Sequence, residues 1–203
     1  LLCGCVVSAC DRVPGMIAGD APEWLAARAE PVRLTVSLDT TRSRSKRITP
    51  RGGTVSATSE NGTRYSLRIP RDGLLSDQVI TLTPVTRVDG LPLAGDSFAT
   101  VHIEPSGLIL QKPAMLTIRT REDVPPSEQV AFGYQAAGED AFLAPILPDE
   151  RGHVRIPVLH FSGYGYGRAA PDDPGRIALQ KTASVRARLI SRVSAELSRA
   201  RQR

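Results

Sequence analysis

The residues able to do chemistry are few and unevenly placed. All three cysteines, Cys3, Cys5 and Cys10, lie in the first ten positions, so nothing after Cys10 can form a disulfide or a thiolate metal site, and the fold must hold by burial. The opening ten residues are apolar and read as the end of a truncated signal sequence. Val7-Ser8-Ala9-Cys10 has the form of a bacterial lipobox: a branched apolar residue, two small residues that fit a signal peptidase, then the cysteine that is acylated. Leu2-Cys3-Gly4-Cys5 is a second candidate. Acyl chains contribute about 0.8 kcal/mol per buried CH₂, and two anchor a protein stably where one does not, so lipid on Cys10 would tether the chain to a membrane. A buried apolar N-terminal strand, or a secretory signal that is simply removed, is the competing reading.

The three histidines, His102, His153 and His160, have no repeated spacing and no neighbouring cysteine, which does not make a zinc site; neither metal nor cofactor is expected. His102 alternates with Thr100 and Glu104 and reads as a surface residue. His160-Phe161-Ser162 sets an imidazole two positions from a hydroxyl at the end of an apolar strand. Its plain reading is a strand end, with Phe161 in the core and Ser162 hydrogen-bonded at the edge. Gly163-Tyr164-Gly165-Tyr166-Gly167 lacks both the G-x-G-x-x-G spacing and a strand-to-helix phosphate turn, so strand-end glycines explain it and no nucleotide is expected.

The elements that must position these residues are mostly strands. With 203 residues, 41% of them hydrophobic and 23% charged, the chain can bury one core of ordinary size. Residues 11–46 read as a tether: a short helix begun by the capping box Asp20-Ala21-Pro22-Glu23, then one strand in which Val32, Leu34, Val36 and Leu38 alternate with polar residues. The basic, Ser-rich Arg42 to Arg47 reads as a solvated linker, with a polyanion contact the less favoured alternative. From 47 to 168 the pattern is β. Asn61-Gly62 suits a tight hairpin turn whose second strand puts Tyr65, Leu67 and Ile69 inward and Arg64, Ser66 and Arg68 outward. Ile80 and Leu82, Val101 and Ile103, and Leu116 and Ile118 alternate likewise; Val130-Phe132-Tyr134, Phe142 to Leu147 and Val154-Ile156-Val158 complete the set, with Asp149 to Gly152 a hairpin loop. Short strands without long helical patterns between them indicate an antiparallel sandwich or barrel.

In order, the phrases Gly52-Gly53-Thr54-Val55, Ile69-Pro70, Ile80-Thr81-Leu82-Thr83-Pro84, Glu104-Pro105-Ser106-Gly107-Leu108 and Lys112-Pro113 resemble the ZU-five domain, named for zonula occludens and the netrin receptor, and its bacterial extracytoplasmic relatives. The resemblance covers residues 48–167 and implies an antiparallel β-sandwich. Asp72-Gly73 stands where the family often has Gly-Ala. Some members cut themselves between Phe and Ser at a motif like His160-Phe161-Ser162. The resemblance thus implies that Ser162 Oγ could attack the Phe161 carbonyl, with His160, His153 or His102 as base and backbone strain lowering the barrier.

Residues 169–203 change character. From Arg176 onward there are eight Lys or Arg against one acid, Glu196, so this tail carries the positive charge of a chain whose net is +5. Ala183, Ile190 and Leu197 recur at seven, with Leu179, Val193 and Ala200 near the stripe; a basic amphipathic helix is expected, able to self-associate or to touch anionic lipid through Arg186, Arg188, Arg192 and Arg199. With Cys10 lipidated, nucleic acid is not an expected partner. The expectation is a membrane-anchored, non-catalytic module of the bacterial cell envelope that binds an unidentified protein. The alternatives are self-cleavage between Phe161 and Ser162, or an N-terminal appendage of a larger envelope enzyme.

Overall fold

A computed structural model describes residues 32–94, 98–121, 124–135, 137–147 and 153–179. The strands are β1 (Thr35–Leu38), β2 (Arg44–Ile48), β3 (Gly53–Thr58), β4 (Arg64–Ile69), β5 (Gln78–Asp89), β6 (Phe98–Glu104), β7 (Ile109–Arg119), β8 (Gln129–Gln135), β9 (Glu139–Ala144), β10 (Val154–His160) and β11 (Gly163–Arg168). Every pairing among them is antiparallel. Seven strands form one sheet in the order β1-β5-β6-β11-β8-β9, with β2 on the other half of β5, and four form a second in the order β10-β7-β4-β3.

Period-two patterning builds the space between the sheets. The smaller sheet turns Val55, Leu67, Leu116 and Ile156 inward, and the larger supplies Ile80, Leu82, Val101, Ile103, Tyr164 and Tyr166 to the same cluster. Leu67, Leu82, Val101, Ile103, Leu116 and Ile156 are 0% exposed, and burying each such side chain contributes about 1.5–3 kcal/mol. The β3–β4 hairpin turns at Gly62, whose φ is +83°, with Asn61 Oδ1 accepting the Thr63 N–H. The smaller sheet therefore has the register that the alternation of Tyr65, Leu67 and Ile69 predicts.

The larger sheet has apolar residues on its other face as well. Val130, Phe132 and Tyr134 of β8 point away from the inter-sheet core and join Leu34, Leu93, Ala141, Ala169 and Leu179 in a second cluster. Gly163 and Gly165 of β11 make this possible: a Cβ on Gly163 would lie 1.7 Å from Cζ of Tyr134, and one on Gly165 would lie 2.3 Å from Cζ of Phe132. Gly163 is the first residue of β11 and Gly165 lies inside it, in a strand whose tyrosines face one core while its bare side carries the aromatic rings of the neighbouring strand.

The sheet curls around this second cluster, and one short segment touches both of its ends. Residues 32–34 bond to the β9 side, through Leu34 N–H to Gly138 O (2.7 Å) and Ala141 N–H to Val32 O (2.9 Å), while β1, which follows directly, pairs with β5. The expected tether, residues 11–46 with one strand, thus holds β1 and the first three residues of β2, both paired into the larger sheet. The expected linker from Arg42 to Arg47 includes most of β2, paired to β5 by backbone and by hydroxyl contacts, Ser43 to Thr83 at 2.9 Å and Ser45 to Thr81 at 2.8 Å. The strand expected over Phe142 to Leu147 lies earlier, as β9. Residues 174–179 are helical; the rest of the expected basic helix, the N-terminal 31 residues and the 149–152 loop lie outside the described residues.

Candidate functional site

His160-Phe161-Ser162 is the crossing between the two sheets. His160 ends β10 in the smaller sheet, and Gly163 begins β11 in the larger. A second crossing runs beside it, the turn between β6 and β7. Phe161 N–H donates to Leu108 O (2.8 Å), Gly107 N–H donates to Phe161 O (2.9 Å), and Ile103 N–H donates to Ser162 O (3.0 Å). Phe161 is fully buried in the inter-sheet core and Ser162 is 2% exposed. Phe161 thus lies in the core at the end of β10, while Ser162 leads into β11, which lies between β6 and β8 and is not at a sheet edge.

The side chains add a second relationship. Ser162 Oγ lies 3.3 Å from His160 Nδ1, so in the tautomer protonated at Nε2 the hydroxyl donates to the ring. The imidazole is edge-on to Phe142, with centroids 6.1 Å apart, and 6.3 Å from the ring of Tyr164; Tyr164 Oη–H in turn donates to His160 O (3.1 Å). A base therefore touches the hydroxyl, and one backbone N–H polarises the carbonyl that the hydroxyl would attack, a donor aimed where negative charge would develop. Left-handed backbone at non-glycine residues occurs, among the described residues, at Asp72 and Asp140, neither of them at this junction.

The other two histidines stand elsewhere. His153 precedes the first residue of β10, about 23 Å along an extended strand from His160. His102 is 7% exposed, not on the surface. It does face away from Val101 and Ile103, as its alternation requires, but that face is covered by the second cluster. Its ring stacks on Tyr134 with centroids 6.1 Å apart, its Nε2 lies 3.2 Å from Ser106 Oγ, and its Nδ1 is buried with no hydrogen-bond partner. Burial holds its pKa below the ordinary 6.5, partly offset by the Glu104 carboxylate. His102 therefore supports the turn that carries Gly107 and does not contact Ser162 as its base.

That turn is the part of the site that residue types did not reveal. Pro105-Ser106-Gly107-Leu108 stands out in the sequence, but nothing local says that it grips Phe161. Cys10 and the tail arginines from Arg186 onward lie outside the described residues. Arg176, at the start of the tail, is not a solvated cation: its Nη2 donates to Ala169 O (2.6 Å) and Gln129 O (3.2 Å). Among the described residues no three metal-ligating side chains converge, and no helix is long and apolar enough to cross a membrane.

No family model matches the chain, and no curated protein does. The crossing between the sheets is thus read from its own geometry.

Proposed function

We propose that the chain is an extracytoplasmic β-sandwich module of ZU-five type, held at the bacterial cell envelope through lipid on Cys10, which works by binding another protein and not by turnover. Two antiparallel sheets around one shared core support the sandwich. The observation that carries the interaction role is at the sheet end beside the crossing, where Ile109 is 72% exposed and Leu159 57% exposed. Ile109 pairs with His160, the residue after Leu159. Leu75, 83% exposed, lies two positions after Gly73, whose carbonyl accepts the Gln111 N–H. Large side chains left in water on neighbouring elements are the surface a protein partner would cover. A photo-crosslinker at Ile109 or Leu159 in the full-length protein in cells should give a discrete adduct that the same label at Thr58, on the outer face of β3, does not. Absence of adducts from both positions would refute the role. Labelled palmitate should mark the wild type and not Cys10→Ser; equal labelling would remove the anchor from Cys10.

The contact between Ser162 Oγ and His160 Nδ1 favours a second reading, self-cleavage. In it the hydroxyl proton passes to His160, Oγ bonds to the Phe161 carbonyl carbon, and the peptide C–N bond breaks as the nitrogen takes up the proton, leaving an ester and a free amine. Water then hydrolyses the ester to the Phe161 carboxylate and the Ser162 hydroxyl. The fragments would stay together, because β10 is held by β7 and β11 by β6 and β8. Intact mass after denaturation decides between the readings. A single chain leaves the binding module alone, whereas two fragments, the smaller beginning at Ser162 and both abolished by Ser162→Ala, establish cleavage.

A further inference from the structure

We propose that the outward face of the four-stranded sheet is an oxyanion site, taking a phosphate-class group between Arg64 and Arg119. The sheet registers place Ser56 opposite Ser66 and Thr58 opposite Arg64, then Ser66 opposite Thr117 and Arg64 directly opposite Arg119. Arg155, on the next strand, stands opposite Thr117. These residues alternate with the buried Val55, Ala57, Tyr65, Leu67, Leu116 and Ile118, so they share the solvent side. The outward positions of the four strands hold Thr54, Arg68, Met115 and Pro157 as well, and no Asp or Glu.

Two observations carry the site independently. The first is that like charges stand directly opposite each other. Such a cross-strand pair destabilises a sheet. Several other surface cations are matched, Arg47 to Asp77, Arg87 to Asp89, Lys112 to Asp72 and Arg168 to Glu128, while Arg33, Arg51 and Arg71 stand singly and not opposite a like charge. Arg64 and Arg119, together with Arg68 and Arg155 on the same face, have neither ion pair nor side-chain hydrogen bond among the described residues. The second is shape. Ser56, Thr58, Arg64, Ser66, Thr117 and Arg119 line a shallow concavity of about 330 Å³, built from two guanidiniums and four hydroxyls, of which Ser56 Oγ–H donates to Ser66 Oγ (3.1 Å) and leaves the Ser66, Thr58 and Thr117 protons for a ligand. Guanidiniums offer paired N–H donors to an oxyanion, and hydroxyls can donate to its remaining oxygens. A tetrahedral group with acceptor lone pairs in several directions uses such a floor better than a planar carboxylate does. A bound phosphate would also remove the repulsion between the two arginines.

Phosphate chemistry could arrive as the free ion or as the headgroup of an anionic phospholipid, and the test separates them. Isotope-labelled full-length protein is titrated with inorganic phosphate at constant ionic strength set by chloride, with backbone amide shifts as the readout. In parallel, phosphatidylglycerol and phosphatidylcholine vesicles are used in co-sedimentation. Saturable shifts centred on Arg64, Ser66, Thr117 and Arg119 establish a site for the free ion. Sedimentation with phosphatidylglycerol alone, without shifts from free phosphate, places the same chemistry on a lipid. In either case Arg64→Gln/Arg119→Gln should weaken binding roughly tenfold or more, while the charge-matched Arg47→Gln/Arg87→Gln, on paired arginines, should leave it unchanged. Equal weakening by the two double variants, or binding in neither arm, overturns the proposal.

Discussion

Gly163→Ala should be among the most damaging single-methyl additions this protein can receive. The added carbon would stand 1.7 Å from Cζ of Tyr134 and 2.1 and 2.2 Å from its two Cε atoms, whereas carbon atoms in contact rest about 3.5–4 Å apart. The ring must retreat by about 2 Å. It has nowhere to go: Tyr134 is 0% exposed, is stacked on His102, and shares its cluster with Leu34 and Phe132. Either the ring leaves its site or β8 parts from β11. Losing a buried aromatic from its place costs about 3–5 kcal/mol, a large share of the roughly 5–15 kcal/mol by which domains are stable. Urea denaturation followed by far-ultraviolet circular dichroism measures the loss by linear extrapolation. Gly107→Ala is the control, since its φ is +82° but nothing lies within 4 Å of an added Cβ, leaving only a backbone cost of about 1–2 kcal/mol. In a Tyr134→Ala background the methyl enters vacated space, and Gly163→Ala should lose most of its effect, a coupling of about 2 kcal/mol or more. An undiminished cost in that background, or a cost no larger than that of Gly107→Ala, would refute the packing argument.

The same denaturation assay tests the register of the smaller sheet: Leu67→Ala or Leu116→Ala should cost about 2–5 kcal/mol, Thr117→Ala less than about 0.5 kcal/mol, and equal tolerance of all three would show the register to be wrong. His102 makes stability pH-dependent. Because its native pKa lies below the ordinary 6.5, its contribution is fully present above about pH 6.5 and is lost as the pH falls through the native value, the unfolded chain taking up the proton first. Denaturation midpoints at pH 7.5 and 5.5 should fall further apart in wild type than in His102→Gln, and an equal difference would exclude His102 as the source. Asp173 is 4% exposed, and its carboxylate accepts N–H groups from Ala94 (2.9 Å) and Gly175 (2.8 Å). Asp173→Ala should cost about 1–3 kcal/mol, and a change under about 0.5 kcal/mol would mean that water replaces it.

The parts of the fold that were legible are those whose signals are local. Tyr65, Leu67 and Ile69 alternate over a turn with Asn61-Gly62 chemistry, and neither signal needs a distant partner. β2 lacks such a signal, because its outward partners are hydroxyls and its sequence is basic; what recruits it is the exposed half of β5. Alternation shows correctly that His102 faces away from Val101, yet cannot show that a second cluster covers that side. Val130, Phe132 and Tyr134 fail in the same way, since an apolar stripe does not say which of two cores receives it. The tripeptide at 160–162 was visible, but its hold on Gly107 and Leu108 was not, because those bonds join two crossings far apart in the chain.

Residues 32–38 touch both margins of the curled sheet, and this determines where mechanical load would enter. Tension arriving from upstream reaches the Leu34–Gly138 and Ala141–Val32 bonds first and passes to β5 through β1. Helical residues 174–179, at the other end of the described chain, bury Leu179 in the same cluster that holds Leu34. A stretch between the two would load the second cluster first, and the bonds of Phe161 to Gly107 and Leu108 lie outside that cluster. Such a load would separate residues 32–34 from Gly138 and Ala141 before it disturbed the junction.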